Sequence, residues 1–469
     1  MRQLMNRIKA AGSIVSLFAI CASTMADTAA IPQFQDGDRV CFVGDSITHA
    51  GYYHTYVYLY YLTRFPEREF RIWNRGIAGD QARNVLRRFD AEIGSLNPTI
   101  STVMLGMNDV GRPLYSTEKT DEATLREQAS EYARYTRDMQ RVIEELQGAG
   151  SEVILITPSI YDQTVETDRE NRYGVNDGLG RFSDFIKDYA RANEVGYVDF
   201  YDAMNIITAE LQSKDPSASI IGKDRIHPDP DPGHFIMGYQ FLKAQEVPKY
   251  VSQIVIDAER ETVPVSVNAE IFEMLFDSGE LQFSVLEKSL PFPQTESISK
   301  GLELVPFEET MNQQHFQVMN LERGSYRLLI DGREVGVWSS QELSEGINLA
   351  TVTTTPQYEQ ALNVLKLNDA RHQLEAKLRN RAYVYFSSGL AFSDVDQDDE
   401  TAIVAFLDAK LETIKGQSWY GYVESQYSEY LQLNAQTGAL LKQMDQVYVE
   451  LYAANQPVPH RYSLIKSNQ

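Results

Sequence analysis

Five short β-rich runs punctuate the first half of the chain: Arg39–Val43, Phe70–Asn74, Ile100–Leu105, Glu152–Thr157 and Tyr197–Phe200. Between them lie segments with apolar residues at helical spacing, Ala82–Ser95, Thr124–Gln147 and Gly178–Asn193. Strands alternating with helices predict a parallel sheet covered on both faces. Right-handed crossovers then give a doubly wound sandwich, in which ligands bind beyond the carboxyl ends of the strands. This pattern occupies residues 31–257. It changes near Thr262, where the stretches "VPVSVNAEIFEML" and "LQFSVLEKSLPF" alternate as strands do, and where Asp331-Gly332 between apolar runs signals a hairpin. Residues 262–355 therefore read as a small β-rich accessory module. Residues 356–458 carry long helical periodicity, and the final "NQPVPHRYSLIKSNQ" reads as a loose tail. No internal repeat is present.

A chain of 469 residues exceeds one ordinary core, so two or three domains are expected. Its 43% hydrophobic and 23% charged residues fit a soluble globular protein. The N-terminus has the form of a secretory signal. Arg2, Arg7 and Lys9 precede a short apolar core, Ile14–Ala22, and Thr24-Met25-Ala26 offers a cleavage site. Residues 1–26 are thus expected to be removed after Ala26, placing the mature protein in the periplasm or outside the cell. The apolar core is short for a membrane span, and no other segment qualifies. Cys21 follows the bulky Ile20, unlike a lipoprotein signal. Once the leader has gone, Cys41 alone remains, so no internal disulfide is expected and Cys41 reads as a small buried hydrophobe. The formal charge of −23 argues against nucleic acid and anionic membranes as partners. It is also what general solubility requires.

Candidate chemistry begins at "VCFVGDSITHAG", where an apolar run ends in Gly-Asp-Ser. Ser46 then stands just past the carboxyl end of the first strand. A serine hydroxyl is a weak nucleophile until a base takes its proton and a third group orients that base. The histidines of this region are His49, His54, His227 and His234. In "GKDRIHPDPDPGH", Asp224 lies three residues before His227, a spacing that lets a carboxylate accept the Nδ1 proton and leaves Nε2 for Ser46. The plain alternative is a helix cap or surface loop. Acyl chemistry also needs donors to a developing oxyanion. Gly79 follows the second strand and Asn108 the third, both in stretches that ordinary βα turns also use.

Gly44-Asp45-Ser46, Gly79, Gly106-x-Asn108-Asp109 and Asp224-x-x-His227 together resemble the four sequence blocks of the SGNH, or GDSL, hydrolases, in that family's order. The resemblance covers residues 31–257. It implies a flavodoxin-like three-layer α/β/α sandwich on a five-stranded parallel sheet, and hydrolysis of esters, sometimes thioesters, with no metal or other cofactor. By that likeness Ser46 is the nucleophile, His227 the base and Asp224 its orienter. The Ser46 and Gly79 amides and the Asn108 side chain form the oxyanion hole. The Pro-Asp pair in "HPDPDPGH" is an insertion relative to plainer relatives.

Other features carry competing readings. Tyr52, Tyr53 and His54 either line the pocket mouth or pack a helix with Tyr56, Leu59 and Tyr60. Arg75 and Arg112 either bind an acidic sugar or form surface salt bridges, the plainer expectation. Asp394, Asp396 and Asp398 alternate as in a calcium loop but lack its glycine and distant glutamate, so an acidic helix N-terminus is the expectation. Trp419, Tyr420 and Tyr422 offer a sugar platform, with helix packing the plainer expectation. The whole predicts a secreted or periplasmic serine esterase removing O-acyl groups, acetyl first among them, from a carbohydrate. Lipid esters and thioesters are the alternatives within that chemistry. A carbohydrate-binding protein on a retired hydrolase fold is the alternative outside it. A third reading makes the β-rich and helical regions purely structural, clamping the catalytic domain or making a dimer.

Overall fold

The computed structural model describes residues 29–115, 121–277, 280–417 and 419–467, so the expected leader lies outside the described residues. The first unit runs β1 (Arg39–Gly44), α1 (Ser46–Ala50), α2 (Tyr52–Arg64), β2 (Arg71–Gly76), α3 (Ala82–Glu92), β3 (Ile100–Met104), α4 (Glu122–Gly148), β4 (Glu152–Ile156), α5 (Val175–Ala192), β5 (Gly196–Val198), α6 (Phe200–Lys214) and α7 (Phe235–Ala244). The five strands form one parallel sheet in the order β2-β1-β3-β4-β5, the three-layer α/β/α sandwich expected.

Successive residues of a strand point to opposite faces, and β1 divides two cores in this way. Val40 and Phe42 join α2, α6 and α7 on one face. Cys41 and Val43 join α3, α4 and α5 on the other. The fifth strand ends earlier than its sequence suggests. Asp199 caps α6 by accepting the Asp202 N–H, so Phe200 turns helical.

The chain continues with β6 (Tyr250–Asp257), β7 (Thr262–Val267), β8 (Ala269–Asp277), β9 (Glu280–Glu287), α8 (Ser299–Leu304), α9 (Phe307–Met311), β10 (Gln313–Met319), β11 (Ser325–Ile330), β12 (Arg333–Ser339), α10 (Ser340–Glu345) and β13 (Ile347–Asn348). Three helices follow, α11 (Pro356–Ser387), α12 (Glu400–Thr413) and α13 (Tyr420–Ala454), and then β14 (His460–Lys466). The β-rich part is two facing sheets, β13-β10-β6-β7 and β12-β11-β14-β9-β8. Ile254, Phe316, Phe283, Leu328 and Tyr462 meet between them. The hairpin at Asp331-Gly332 is present as β11–β12, both turn residues having positive φ.

Two sequence expectations fail here. Tyr250–Asp257, placed within the 31–257 unit, pairs with β10 and β7 in the β-sandwich and not with the parallel sheet. The expected loose tail is β14, a strand between β9 and β11 with Tyr462 and Leu464 buried. Its alternation of polar and apolar residues is that of a strand with one face inward.

The helical region is not a separate body. Ala361 and Val364 of α11 and Tyr448 and Leu451 of α13 belong to the same core as Phe34, Tyr58 and Phe241. These helices also close the exposed edge of β2. The Phe70 carbonyl accepts the Tyr452 hydroxyl at 2.6 Å, the Ile72 carbonyl accepts the Tyr448 hydroxyl at 3.0 Å, and the Asn74 N–H donates to Glu375 Oε1 at 2.8 Å. An edge strand whose alternate backbone groups are taken by side chains presents no template for another strand.

Candidate active site

The sheet order sets the loops after β2, β1 and β3 side by side, so Gly79, Ser46 and Asn108 come from neighbouring strand ends. Asp45 caps α1, its Oδ1 accepting the Ile47 N–H at 3.0 Å, and Ser46 takes the first helical position. Gly44 is required by close approach. A Cβ there would stand 2.2 Å from Thr48 Oγ1 and 2.8 Å from the Met104 carbonyl.

Asp224 and His227 arrive from the far edge of the sheet on the loop before α7. The loop is tied back on itself by Gly222 N–H donating to the His227 carbonyl at 2.7 Å. It is tied to the β4–α5 loop by Arg225, buried at a positive φ, which donates to the Asp162 and Val165 carbonyls at 3.0 Å. The result places His227 Nε2 2.9 Å from Ser46 Oγ, and His227 Nδ1 2.5 Å from Asp224 Oδ2. Asp224 Oδ1 accepts the Ile226 and His227 N–H groups at 2.9 and 3.0 Å. Burial opposes ionisation of Asp224, but these bonds outweigh it and hold its carboxyl well below the usual carboxylate range. The site is open: the His227 and Asp224 side chains are 45% and 50% exposed.

Gly79 has φ +85°, and no atom lies within 4 Å of where its Cβ would be. It is the left-handed backbone that favours glycine here, since no neighbouring atom would exclude a side chain. Among the described residues no acceptor is bonded to the Ser46 or Gly79 N–H. Asn108 is held at both ends of its amide. Its Oδ1 accepts from Arg112 at 3.1 Å, and its Nδ2 donates to the Asp80 carbonyl at 2.9 Å, which leaves one Nδ2 proton free. Gln81 Nε2 secures the Asn108 carbonyl at 2.8 Å.

The remaining candidates fall elsewhere. His54 and His234 are fully buried, and burial pushes both down to about 3. Tyr53 and His54 pack against Phe42 and do not reach a pocket mouth. Among the described residues Arg112 forms no surface salt bridge; it donates to Asn108 and to the Met107 carbonyl. Arg75 is largely buried and pairs with Glu92. Trp419 and Tyr422 are 51% and 60% exposed, so helix packing does not occupy them. In the acidic stretch, Asp399 caps α12 by accepting the Thr401 and Ala402 N–H groups. The Pro-Asp insertion has a structural use: Asp231 accepts the Lys300 and Gly301 N–H groups, docking the loop on α8. Arg225, Asp162 and Gln81 escaped the sequence reading, since nothing in local spacing marks a side chain that serves a distant loop.

Two buried carboxyls lie beside the site. Burial pushes Asp45 up to about 6, with the Asp80 charge adding to the rise, and burial pushes Asp109 up to about 7, with the Asp45 charge adding to it. A raised folded-state value contributes stability that is full below the unfolded value and lost as pH rises through the folded one. The Asp109→Asn variant keeps the Oδ1 acceptor for the Ala82 N–H. Its thermal midpoint is expected to exceed the native one by several degrees at pH 8 and to match it at pH 4. Equal midpoints at both pH values would refute the assignment.

The GDSL-like lipase/acylhydrolase family model matches residues 42–231. A solved structure of a gut microbial diltiazem-metabolizing enzyme is 32% identical, covers 94% of this chain and 100% of its own, and superposes with a TM-score of 0.83. An acetylxylan esterase of Geobacillus stearothermophilus is 27% identical over 222 residues, 44% of this chain and 93% of that one. The chain belongs to the SGNH, or GDSL, hydrolase family, and that membership makes it an ester-hydrolysing enzyme. Among the described residues, no helix is long and apolar enough to cross a membrane.

Proposed function

We propose that the chain is an exported serine esterase that removes acyl groups, acetyl in the first instance, from a carbohydrate. The observation that carries the catalytic reading is the Ser46–His227–Asp224 line, with contacts of 2.9 and 2.5 Å. His227 takes the Ser46 proton as Oγ attacks the ester carbonyl, and the Ser46 and Gly79 N–H groups and Asn108 Nδ2 receive the oxyanion. The tetrahedral species collapses, His227 gives the proton to the leaving alcohol, and an acyl-serine remains. Water, deprotonated by His227, then releases the acid and restores Ser46. Asp224 stays ionised and steadies the imidazolium in both steps.

The carbohydrate assignment draws on the likeness to an acetylxylan esterase, the acidic chain and the half-exposed His227 and Asp224, which leave room for a bulky alcohol. Export draws on the leader-like residues 1–26. A second reading is hydrolysis of small-molecule esters, favoured by the end-to-end likeness to the diltiazem-metabolizing enzyme.

The test is acetate release from a panel of acetylated polysaccharides and oligosaccharides, beside a small activated acetyl ester, by the native chain and by Ser46→Ala. Release from a saccharide that disappears in the variant is the expected result. Ser46-dependent cleavage of the small ester alone would leave the second reading standing. No Ser46-dependent cleavage of any ester would sink the assignment of the site.

A further inference from the structure

Two polar chains leave α11 from adjacent residues and end on either side of Gly79. In the first, the Ala78 N–H donates to His49 Nδ1 at 3.2 Å, and His49 Nε2 stands 3.2 Å from Asn380 Oδ1. Because Nδ1 accepts, the ring proton sits on Nε2 and is donated to Asn380. Asn380 Nδ2 is in turn placed by Glu429 of α13 at 3.3 Å. In the second, Arg379 donates to Glu92 Oε1 at 2.5 Å, and Glu92 also pairs with Arg88. Arg88 donates to Asp80 Oδ2 at 2.8 Å. The Asp80 carbonyl is the group that holds Asn108 Nδ2.

The residues before and after Gly79, and the side chain of Asn108, are therefore tied to one turn of a helix some three hundred positions downstream. Arg379, Glu92 and Arg88 are all less than one-tenth exposed. A buried ionic chain adds little net stability over apolar packing of the same volume, whereas it fixes the positions of the groups it joins. Gly79 needs such fixing, because glycine surrenders more conformational freedom than any other residue when held. His49 is suited to its part. Burial holds it down to about 4, opposed by its bond to Asn380, with Arg379, Arg88 and Glu92 around it and the Tyr383 ring 6.1 Å away, so it is a neutral acceptor at ordinary pH.

We propose that Arg379 and Asn380 are positioning residues for ester hydrolysis, holding the Ala78–Asp80 loop so that its donors meet the oxyanion without reorganisation. The proposal rests on the reading of Gly79 and Asn108 as oxyanion donors. Donors kept in place before the reaction are what lower its barrier, and small misplacements are costly.

The test uses the full chain with a small activated acetyl ester. Competent sites are counted with a serine-directed fluorophosphonate, and a boronic acid serves as the tetrahedral analogue. In Asn380→Leu, kcat per competent site is expected to fall roughly tenfold to hundredfold. KM should change less than about twofold, and boronate affinity should fall with kcat. His49→Leu should behave alike, and the double variant should lose no more than the worse single one. His49→Asn, which keeps an acceptor where Nδ1 stands, should retain most of kcat. Where the leucine variants do not fold, Asn380→Ser carries the same expectation. An Asn380 variant that loses thermal stability while keeping kcat per competent site and boronate affinity would overturn the proposal. Hydrolysis by Ser46→Ala at the native rate would instead bring down the site on which it rests.

Discussion

Replacing His227 with alanine is expected to lower kcat for an activated acetyl ester by about 10⁴- to 10⁶-fold, with KM within a few-fold of native. The expectation follows from the 2.9 Å contact between Nε2 and Ser46 Oγ. Without it, the hydroxyl proton has no acceptor in the first step and the leaving alcohol no donor. His54 and His234 do not substitute, because both are buried and held neutral. Asp224→Asn should cost less than His227→Ala. Its carboxylate is half exposed, so water screens the charge it offers the imidazolium. The asparagine can still accept the Ile226 and His227 N–H groups through Oδ1, and the loop should keep its shape. Steady-state kinetics on the two variants decide the matter, and a His227→Ala enzyme within tenfold of native would remove His227 from the mechanism.

Ending the chain after Asp257 is expected to yield no soluble, cooperatively folding catalytic unit, although the whole parallel sheet lies upstream. Such a fragment lacks Ala361, Val364, Tyr448 and Leu451 from the core that also holds Phe34 and Tyr58. It also leaves the Asn74 N–H and the Ile72 carbonyl without their side-chain partners along the edge of β2, and the Phe70 carbonyl with the Tyr58 hydroxyl but not that of Tyr452. The fragment should appear in the insoluble fraction, and a sharp thermal transition from soluble material would refute the prediction. A milder probe of the same contact is Arg371→Met. Arg371 donates to Glu375 at 2.9 Å and to Thr55 Oγ1 at 3.0 Å, with Glu375 buried. Stranding that carboxylate should cost about 3–5 kcal/mol in denaturant unfolding at neutral pH.

The parallel sheet was legible because its strands are short β-rich runs separated by helices of ordinary periodicity. Ser46, Asp224 and His227 were legible because each sits in a short block with a chemical reason for its spacing. The grip of the helical region was not, and the cause is visible on α11. Its buried side includes Asn368, Arg371, Glu375 and Arg379. A helix that buries polar residues at i, i+3 and i+4 spacing shows no apolar stripe, so the usual signal of a packing face is missing. β14 was misread for a related reason. "HRYSLIK" mixes charges with apolar residues as an exposed tail does, and only its partners on both sides show that Tyr462 and Leu464 face a core. Arg112 was misassigned because sequence pairs an arginine with acids, whereas here it serves a carbonyl and an amide.

The order of manufacture follows from where α11 and β14 lie. A ribosome completes the five strands of the hydrolytic sheet long before it makes the helix that braces Gly79 and covers β2, and β9 must wait nearly as long for β14. Folding of the hydrolytic centre cannot finish during synthesis of its own segment. Contacts this distant along the chain favour slow folding and prolonged exposure of apolar surface.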